Sequence, residues 1–235
     1  MNIALILSGG TGARAGGDIP KQYIKVCGKP VICYCIERLS MHAGIDKIQI
    51  VADVQWHSQL MDWLAWADQE RKFNGFSMPG VNRQLSIWNG LQDIKAYAEE
   101  QDHILIHDGA RPMLSSRRIS ECLEAIGGHE GALPVLPMKD TIYASVDGSR
   151  ISSLLNRDEV FAGQTPEVFL LGAYYEANRR LRQEEMLGIH GSTEPAVMAG
   201  MDVVMIHGDE TNFKITTRDD LERFQEMVSK GVEFT

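Results

Sequence analysis

The sequence predicts an α/β fold in which parallel strands are joined by crossover helices, and two observations support this prediction. Apolar runs of strand length alternate with segments of helical periodicity along the chain. Two of the runs end in residues that are typical of the ligand-binding edge of a parallel sheet. A glycine-rich turn follows residues 3–8, and Asp108 ends the run at 104–108. The 235 residues contain no repeat or linker, so we expect a single domain over residues 1–235, with an arm at about 138–165.

Strands and helices alternate through the first half of the chain. Residues 3–8 and 47–53 are apolar runs of strand length. Pro30 suits the first turn of a helix, and the apolar residues that follow it recur every three to four positions. Residues 55–69 form a second amphipathic helix with Trp and Leu on one face, and a third helix follows Asn82.

The second half of the chain continues this alternation. Residues 104–108 form a short buried strand that ends in an acid, and Ser115 or Ser116 caps a helix that runs to Ile126. The polar and less regular stretch at 138–165 is interpreted as an excursion from the main sheet. The remaining expected elements are a strand at 132–135, a helix at 171–182, a strand at 203–206 and a helix that begins near Thr217.

Composition and charge exclude several classes of protein. The net charge of −9 argues against nucleic-acid binding, because a surface that neutralises phosphates is normally basic. No apolar run approaches the roughly 20 residues that a membrane-spanning helix needs. The N-terminus lacks the basic segment of an export signal, so we expect a cytoplasmic protein without membrane contact. The four cysteines match no disulfide or zinc spacing and are expected to be core residues where they lie in the first helix.

The glycine-rich turn at residues 8–14 is the first candidate site. Glycines after a first parallel strand let backbone N–H groups approach phosphates, and Arg14 and Lys21 would add positive charge there. The segment also matches a loose dinucleotide fingerprint, but Pro20 interrupts the helix that this motif requires, and the acid expected after strand two is missing at the usual distance. A purely structural turn is the other alternative.

Three further polar segments could carry chemistry. Asp108, at the end of a central parallel strand, could bind Mg²⁺, or it could cap the following turn. Its neighbour His107 is interpreted as structural, because alternation along a strand points it to the other face. Arg157, with two threonine hydroxyls, could bind a phosphate. Lys214 precedes a helix N-terminus, which suits an anion but also fits an ordinary capped helix.

Six short motifs occur in one order along residues 3–225. They are Ser-Gly-Gly-x-Gly-x-Arg, Pro-Lys-Gln, His-Asp-Gly-Ala-Arg-Pro, Asp-Thr, Gln-Thr-Pro and Asn-x-Lys-Ile-Thr-Thr. In this order the chain resembles the cytidylyltransferases that activate methylerythritol phosphate or ribitol phosphate. The resemblance implies a Rossmann-like, doubly wound and mostly parallel sheet with a protruding β-arm, a homodimer joined through the arms, and the use of CTP and Mg²⁺.

The resemblance also assigns roles to residues. The catalytic residues that it implies, which stabilise charge on the α-phosphate, are Arg14, Lys21 and Lys214. The nucleotide-binding residues are Ser8, Gly9, Gly10, Thr11, Gly12, Gly80, Arg83 and Ser86. The acceptor-binding residues are Asp108, which also lies near the metal, and Thr141, Arg157, Thr165 and Thr193.

The acceptor is expected to be a linear polyol phosphate of the ribitol 5-phosphate type, with 2-C-methyl-D-erythritol 4-phosphate as the alternative. The motifs around Asn156, Gln164 and Lys214 are closer to the ribitol branch of the family. A linear polyol also needs polar partners, which Thr165, Thr193 and Glu194 could supply, because a buried hydroxyl left unpaired costs about 1–3 kcal/mol. A sugar-1-phosphate nucleotidyltransferase and a non-catalytic nucleotide-binding module are less favoured readings.

Overall fold

The computed structural model describes residues 1–10 and 19–232. Within these residues, no helix is both long enough and apolar enough to cross a membrane. The strands are β1 (Asn2–Leu7), β2 (Lys25–Val26), β3 (Lys29–Pro30), β4 (Lys47–Val51), β5 (Phe73–Ser77), β6 (His103–Asp108), β7 (Gly131–Pro137), β8 (Ile142–Ala144), β9 (Ser153–Leu155), β10 (Phe161–Gly163), β11 (Glu167–Leu170) and β12 (Val203–His207). The helices are α1 (Val31–Met41), α2 (His57–Ala67), α3 (Arg83–Lys95), α4 (Ser116–Ala125), α5 (Leu171–Arg179), α6 (Gln183–Gly188), α7 (Glu194–Met198) and α8 (Arg218–Ser229).

Eight of the described strands form one mixed sheet. Its parallel part is β5-β4-β1-β6, and β12 is also parallel to its partner β7. Strand β11 is antiparallel and lies between β6 and β7, and β10 pairs antiparallel with the far end of β7. The sheet is therefore mostly parallel, and the α/β prediction is confirmed.

Helices cover both faces of this sheet. One apolar cluster joins the strands to α1, α2 and α4, and it includes the buried Cys33, Cys35 and Cys122. A second cluster joins the opposite face to α3 and α5. A third and smaller cluster holds α8 through Phe224. All four cysteines are free, and the prediction that those of α1 are core residues is confirmed.

Polar caps explain where several helices begin. The Asn82 side chain accepts a hydrogen bond from the Leu85 N–H at the start of α3. Ser115 caps α4 through the Arg118 N–H, and Thr217 caps α8 through the N–H of Asp220. A side-chain oxygen that accepts from a first-turn N–H satisfies a donor that the helix itself cannot pair. The expected starts of these three helices are confirmed.

The expected arm is an antiparallel hairpin of β8 and β9 that leaves the sheet after β7. It spans residues 138–160 and is shorter than predicted, because β10 has already returned to pair with β7. Most of its apolar side chains are exposed, and the exposed fraction of Val146 reaches 94%. A polar stretch in the sequence thus carries an apolar surface at its tip.

Candidate active site

The parallel register brings two of the predicted site segments together. Leu7 on β1 lies opposite Asp108 on β6, so both strands end at the same edge of the sheet. The Gly109 N–H donates to the Leu7 carbonyl at 2.9 Å. The turn that begins at Ser8 therefore starts beside Asp108, as expected for a ligand site at the carboxyl end of parallel strands.

Ser8, Gly9 and Gly10 are anchored from the segment that contains Lys21. The Gln22 amide donates to the carbonyls of Ser8 at 2.6 Å and of Gly10 at 2.8 Å. Lys21 and Gln22 belong to one 3₁₀ turn that follows Pro20. This turn fixes the Lys21 backbone next to the glycine-rich segment. Predicted site residues Thr11, Gly12 and Arg14 lie outside the described residues.

Gly80 and Ser86 lie on the same side of the site as Gly9. A Cβ at Gly9 would stand 2.4 Å from the Pro79 Cβ, so the two segments touch without room for a side chain. The Gly80 N–H donates to the Ser86 hydroxyl at 3.0 Å, which ties this segment to α3. The structure thus brings Gly9, Gly80 and Ser86, three of the residues predicted to bind the nucleotide, close together.

The Asp108 carboxylate holds a cluster of three cations, which we call the cation cluster: Arg83, Arg111 and Lys214. The Arg83 Nε donates to one carboxylate oxygen at 3.0 Å. The Lys214 Nζ and the Arg111 Nε approach the other oxygen at 2.9 and 3.6 Å. Burial disfavours the charged form of Asp108, but the cations hold its pKa well below the usual range. Asp108 is therefore ionised at neutral pH.

These residues do not fit a Mg²⁺ site built on Asp108. Both of its oxygens already face cations, which would repel a divalent ion at the same place. Across residues 1–10 and 19–232, no group of three or more His, Cys, Asp or Glu side chains could hold a metal. The arrangement favours Asp108 as the counter-charge of the cation cluster.

Thr165 lies behind this cluster with its hydroxyl already engaged. Only 3% of Thr165 is exposed, and its hydroxyl accepts from the Asp108 N–H at 3.1 Å. The His107 Nδ1 lies 3.3 Å from the same hydroxyl, while the His107 Nε2 lies 3.0 Å from the Arg111 carbonyl. Burial lowers the pKa of His107 to about 4, so the ring is neutral and supports Asp108 and Arg111. The Thr165–Pro166 peptide is cis.

Thr193 approaches the cluster from the other side. Its hydroxyl donates to the buried Glu167 carboxylate at 3.2 Å. The adjacent Ser192 hydroxyl accepts from the Arg83 Nη1 at 2.8 Å. The guanidinium of Arg83 thus spans Asp108 and the segment that carries Thr193, and does not extend freely toward a nucleotide.

Thr141 and Arg157 lie on the arm, and both side chains are exposed. The Arg157 Nη1 donates to the Lys139 carbonyl at 3.2 Å, and Asp158 lies 3.8 Å from its Nε. Arg157 thus contacts other arm residues, whereas Asp108 lies at the end of β6 in the main sheet. No motif in the sequence indicated a site role for Arg111, Glu167 or Ser192. The spacing of Arg111 after Asp108 could have indicated the ion pair, whereas no local pattern indicates the other two.

Comparison with known proteins identifies the family. A sequence model of the family "IspD: 2-C-methyl-D-erythritol 4-phosphate cytidylyltransferase" matches residues 2–230. The chain is 32% identical over 227 residues to the 2-C-methyl-D-erythritol 4-phosphate cytidylyltransferase of Nitrosomonas eutropha, covering 93% of each protein. It is 34% identical over 237 residues to a bifunctional IspD/IspF enzyme of Granulibacter bethesdensis, covering 96% of this chain and 56% of that protein.

Solved structures share the fold. The 2-C-methyl-D-erythritol 4-phosphate cytidylyltransferase of Francisella tularensis superposes with a TM-score of 0.80 at 24% identity, covering 95% of this chain and 99% of that one. The corresponding protein of Thermus thermophilus gives a TM-score of 0.70 at 22% identity over 96% of this chain and 98% of that one. These likenesses confirm the Rossmann-like α/β fold.

The comparisons correct one expectation. The family model and the curated relatives do not support the ribitol 5-phosphate type of acceptor, and they agree with the alternative, the methylerythritol branch. The motif differences at residues 156, 164 and 214 were therefore a poor guide to the branch. The chain belongs to the 2-C-methyl-D-erythritol 4-phosphate cytidylyltransferase family and is a nucleotidyltransferase.

Proposed function

We propose that the protein transfers a cytidylyl group from CTP to the phosphate of 2-C-methyl-D-erythritol 4-phosphate and releases diphosphate. The observation that carries this proposal is the cation cluster on Asp108, beside the glycine-rich turn at the end of β1. Positive charge held in place by a buried carboxylate suits two substrates that both carry phosphate groups.

The reaction needs no covalent enzyme intermediate. An oxygen of the acceptor phosphate attacks the α-phosphorus of CTP and forms a new P–O bond. The bond from that phosphorus to the oxygen bridging the β-phosphate breaks, and diphosphate leaves with the electron pair. The attacking phosphate is an anion at pH 7, so no general base is required. Lys21 and Lys214, with Arg14, would stabilise the charge that grows on the α-phosphate oxygens.

The nucleotide would bind along the segments around Gly9 and Gly80. Backbone N–H groups of the glycine-rich turn, which also includes Ser8, Gly10, Thr11 and Gly12, would bind the phosphates of CTP. Ser86 would contribute by holding the Gly80 backbone in place. The contacts of Arg83 support a role in placing Asp108 and Ser192 rather than in touching CTP.

The acceptor would lie between the cation cluster and Thr193, with Thr165 behind the cation cluster. Mg²⁺ and a cytoplasmic location stay predictions.

A homodimer would complete the acceptor site. The hairpin of the arm exposes Tyr143, Val146, Ile151 and Leu154, and an apolar surface of this kind favours burial against a partner. Arg157 and Thr141 lie on the same arm, and Asp108 lies at the end of β6 in the main sheet. We infer that the arm of one subunit delivers these two residues to the partner's acceptor site.

Mixed dimers test this inference. Arg157→Ala is expected to raise the acceptor KM while the CTP KM stays unchanged, because the lost cation faces the acceptor phosphate. At an acceptor concentration well below the raised KM of Arg157→Ala, an equimolar mixture of Arg157→Ala and Lys21→Ala subunits should recover about one quarter of the wild-type activity, since half of the dimers are mixed and each has one intact site. Activity no greater than the sum of the separate variants would mean that the arm does not act across the dimer.

Diphosphate release tests the proposed function directly. The protein is incubated with CTP and Mg²⁺ and with either 2-C-methyl-D-erythritol 4-phosphate, ribitol 5-phosphate or glycerol 3-phosphate. The methylerythritol compound is expected to give the highest kcat/KM, and ATP, GTP and UTP should replace CTP poorly. A higher kcat/KM with ribitol 5-phosphate would assign the chain to the other acceptor.

A further inference from the structure

A second buried carboxylate lies next to the cation cluster. Glu167 begins β11 and pairs antiparallel with Ile106, two residues before Asp108 on β6. Only 7% of Glu167 is exposed. Its side chain therefore occupies the face of the sheet that carries Asp108, because residues two apart on a strand share a face.

The groups that face Glu167 come from the acceptor side of the site. The Thr193 hydroxyl donates to its Oε2 at 3.2 Å, and the Ser192 hydroxyl also hydrogen-bonds its carboxyl group. Arg83 is the nearby cation, while Asp108 contributes a like charge. Burial outweighs the favourable partners and raises the pKa of Glu167. Burying a carboxyl group is unfavourable unless it is hydrogen-bonded or paired, so the contacts with Thr193, Ser192 and Arg83 are what stabilise Glu167 in this position.

Glu167 also determines where the Thr193 side chain points. Thr193 precedes α7, but its side chain makes no capping hydrogen bond to that helix. The hydroxyl turns instead to Glu167, while the Ser192 carbonyl accepts from the buried Tyr174 hydroxyl at 2.6 Å. Hydrogen bonds with side chains of β11 and α5 thus hold residues 192 and 193 in place.

We propose that Glu167 is a positioning residue that sets the acceptor site by holding the Thr193 hydroxyl in place. This inference rests on the proposed function, in which Thr193 lies against the polyol phosphate. A carboxylate oxygen of Glu167 accepts the hydrogen bond from the Thr193 hydroxyl. The length of the Glu167 side chain therefore matters more for this role than its charge. Nucleotide binding, on the side of Gly9 and Gly80, does not depend on this contact.

Two substitutions separate the effect of side-chain length at position 167 from the effect of its charge. Glu167→Asp keeps the charge beside Arg83 but withdraws the carboxylate by one methylene, and it is expected to raise the acceptor KM about tenfold, the effect of one lost buried hydrogen bond. Glu167→Gln keeps an acceptor oxygen in place and should stay within about threefold of wild type. In both variants kcat and the CTP KM should change by less than about twofold, because the reacting phosphates are not touched.

Thr193→Val completes the experiment as the other half of the contact. It should raise the acceptor KM as Glu167→Asp does. The acceptor KM of the double variant Glu167→Asp/Thr193→Val should be no higher than that of the single variant with the higher KM, because both changes remove the same contact. Melting temperatures show that each variant is folded, and Thr193→Val with Glu167→Gln suffices if Glu167→Asp does not fold.

Three results would overturn the inference: a larger acceptor KM for Glu167→Gln than for Glu167→Asp, additive effects in the double variant, or an unchanged KM in Thr193→Val. Failure of the proposed function is distinguishable, because wild-type protein would then form no product from CTP and 2-C-methyl-D-erythritol 4-phosphate.

Discussion

Lys21→Ala is expected to lower kcat by about 10²–10³ with little change in the CTP KM, the loss typical of one removed transition-state donor. Lys21 follows Pro20 in the turn whose Gln22 amide holds the carbonyls of Ser8 and Gly10. The turn fixes the lysine backbone beside the segment proposed to bind the triphosphate. A charge that acts on the α-phosphate mainly in the transition state affects turnover more than ground-state binding.

Steady-state kinetics with saturating 2-C-methyl-D-erythritol 4-phosphate measures this effect. Lys25→Ala is the matched control, because Lys25 is exposed and belongs to the same segment of the chain. It should keep wild-type kcat. Near-normal turnover in Lys21→Ala, or an equal loss in both variants, would remove Lys21 from the proposed mechanism.

Asp108→Asn should destabilise the protein by about 3–5 kcal/mol, the cost of removing one partner from a buried ion pair. The substitution leaves Arg83, Arg111 and Lys214 close together without their shared counter-charge. Urea denaturation measures the free energy of unfolding. Glu222→Gln is the control, because its ion pair with Arg218 is exposed and contributes little.

The pH dependence of Asp108→Asn gives a second measurement. The folded pKa of Asp108 lies below its ordinary value near 3.9, so its stabilisation is complete above that pH and is lost as the pH falls toward the folded pKa. The stability gap between wild type and Asp108→Asn should therefore narrow as the pH falls below about 4.

A gap that does not change with pH would contradict the assignment of Asp108 as the counter-charge. The Mg²⁺ concentration that gives half-maximal activity should be the same in both proteins. A marked increase in Asp108→Asn would instead indicate a metal ligand.

Local signals in the sequence predicted much of the fold. The periodicity of α3 and the capping residues Ser115 and Thr217 fixed their helices, and the apolar run before Asp108 marked β6. Among the eight strands of the described main sheet, β5 and β11 were missed, and β10 was counted with the arm. Strand β5 reads Phe-Asn-Gly-Phe-Ser and lies at the edge of the sheet, where few apolar residues are needed. Strand β11 has only four residues and is antiparallel, so alternation of parallel strands and helices does not indicate it.

The site was predicted less completely than the fold. Asp108 and Lys214 were identified, but their ion pair joins residues far apart in the sequence, and no local pattern indicates it. Glu167 was missed because a glutamate in a short strand is normally solvent-exposed. The roles of Arg14, Thr11 and Gly12, and the expectation of a single domain, stay predictions.

The most direct test of the proposed reaction follows the oxygen atoms of the acceptor phosphate. 2-C-methyl-D-erythritol 4-phosphate labelled with ¹⁸O on its phosphate is turned over with CTP, and the products are examined by mass spectrometry and ³¹P NMR. The proposed reaction predicts a cytidine diphosphate product that retains all of the label, together with unlabelled diphosphate. Label in the released diphosphate, or CMP formed without a product that contains the acceptor, would contradict it.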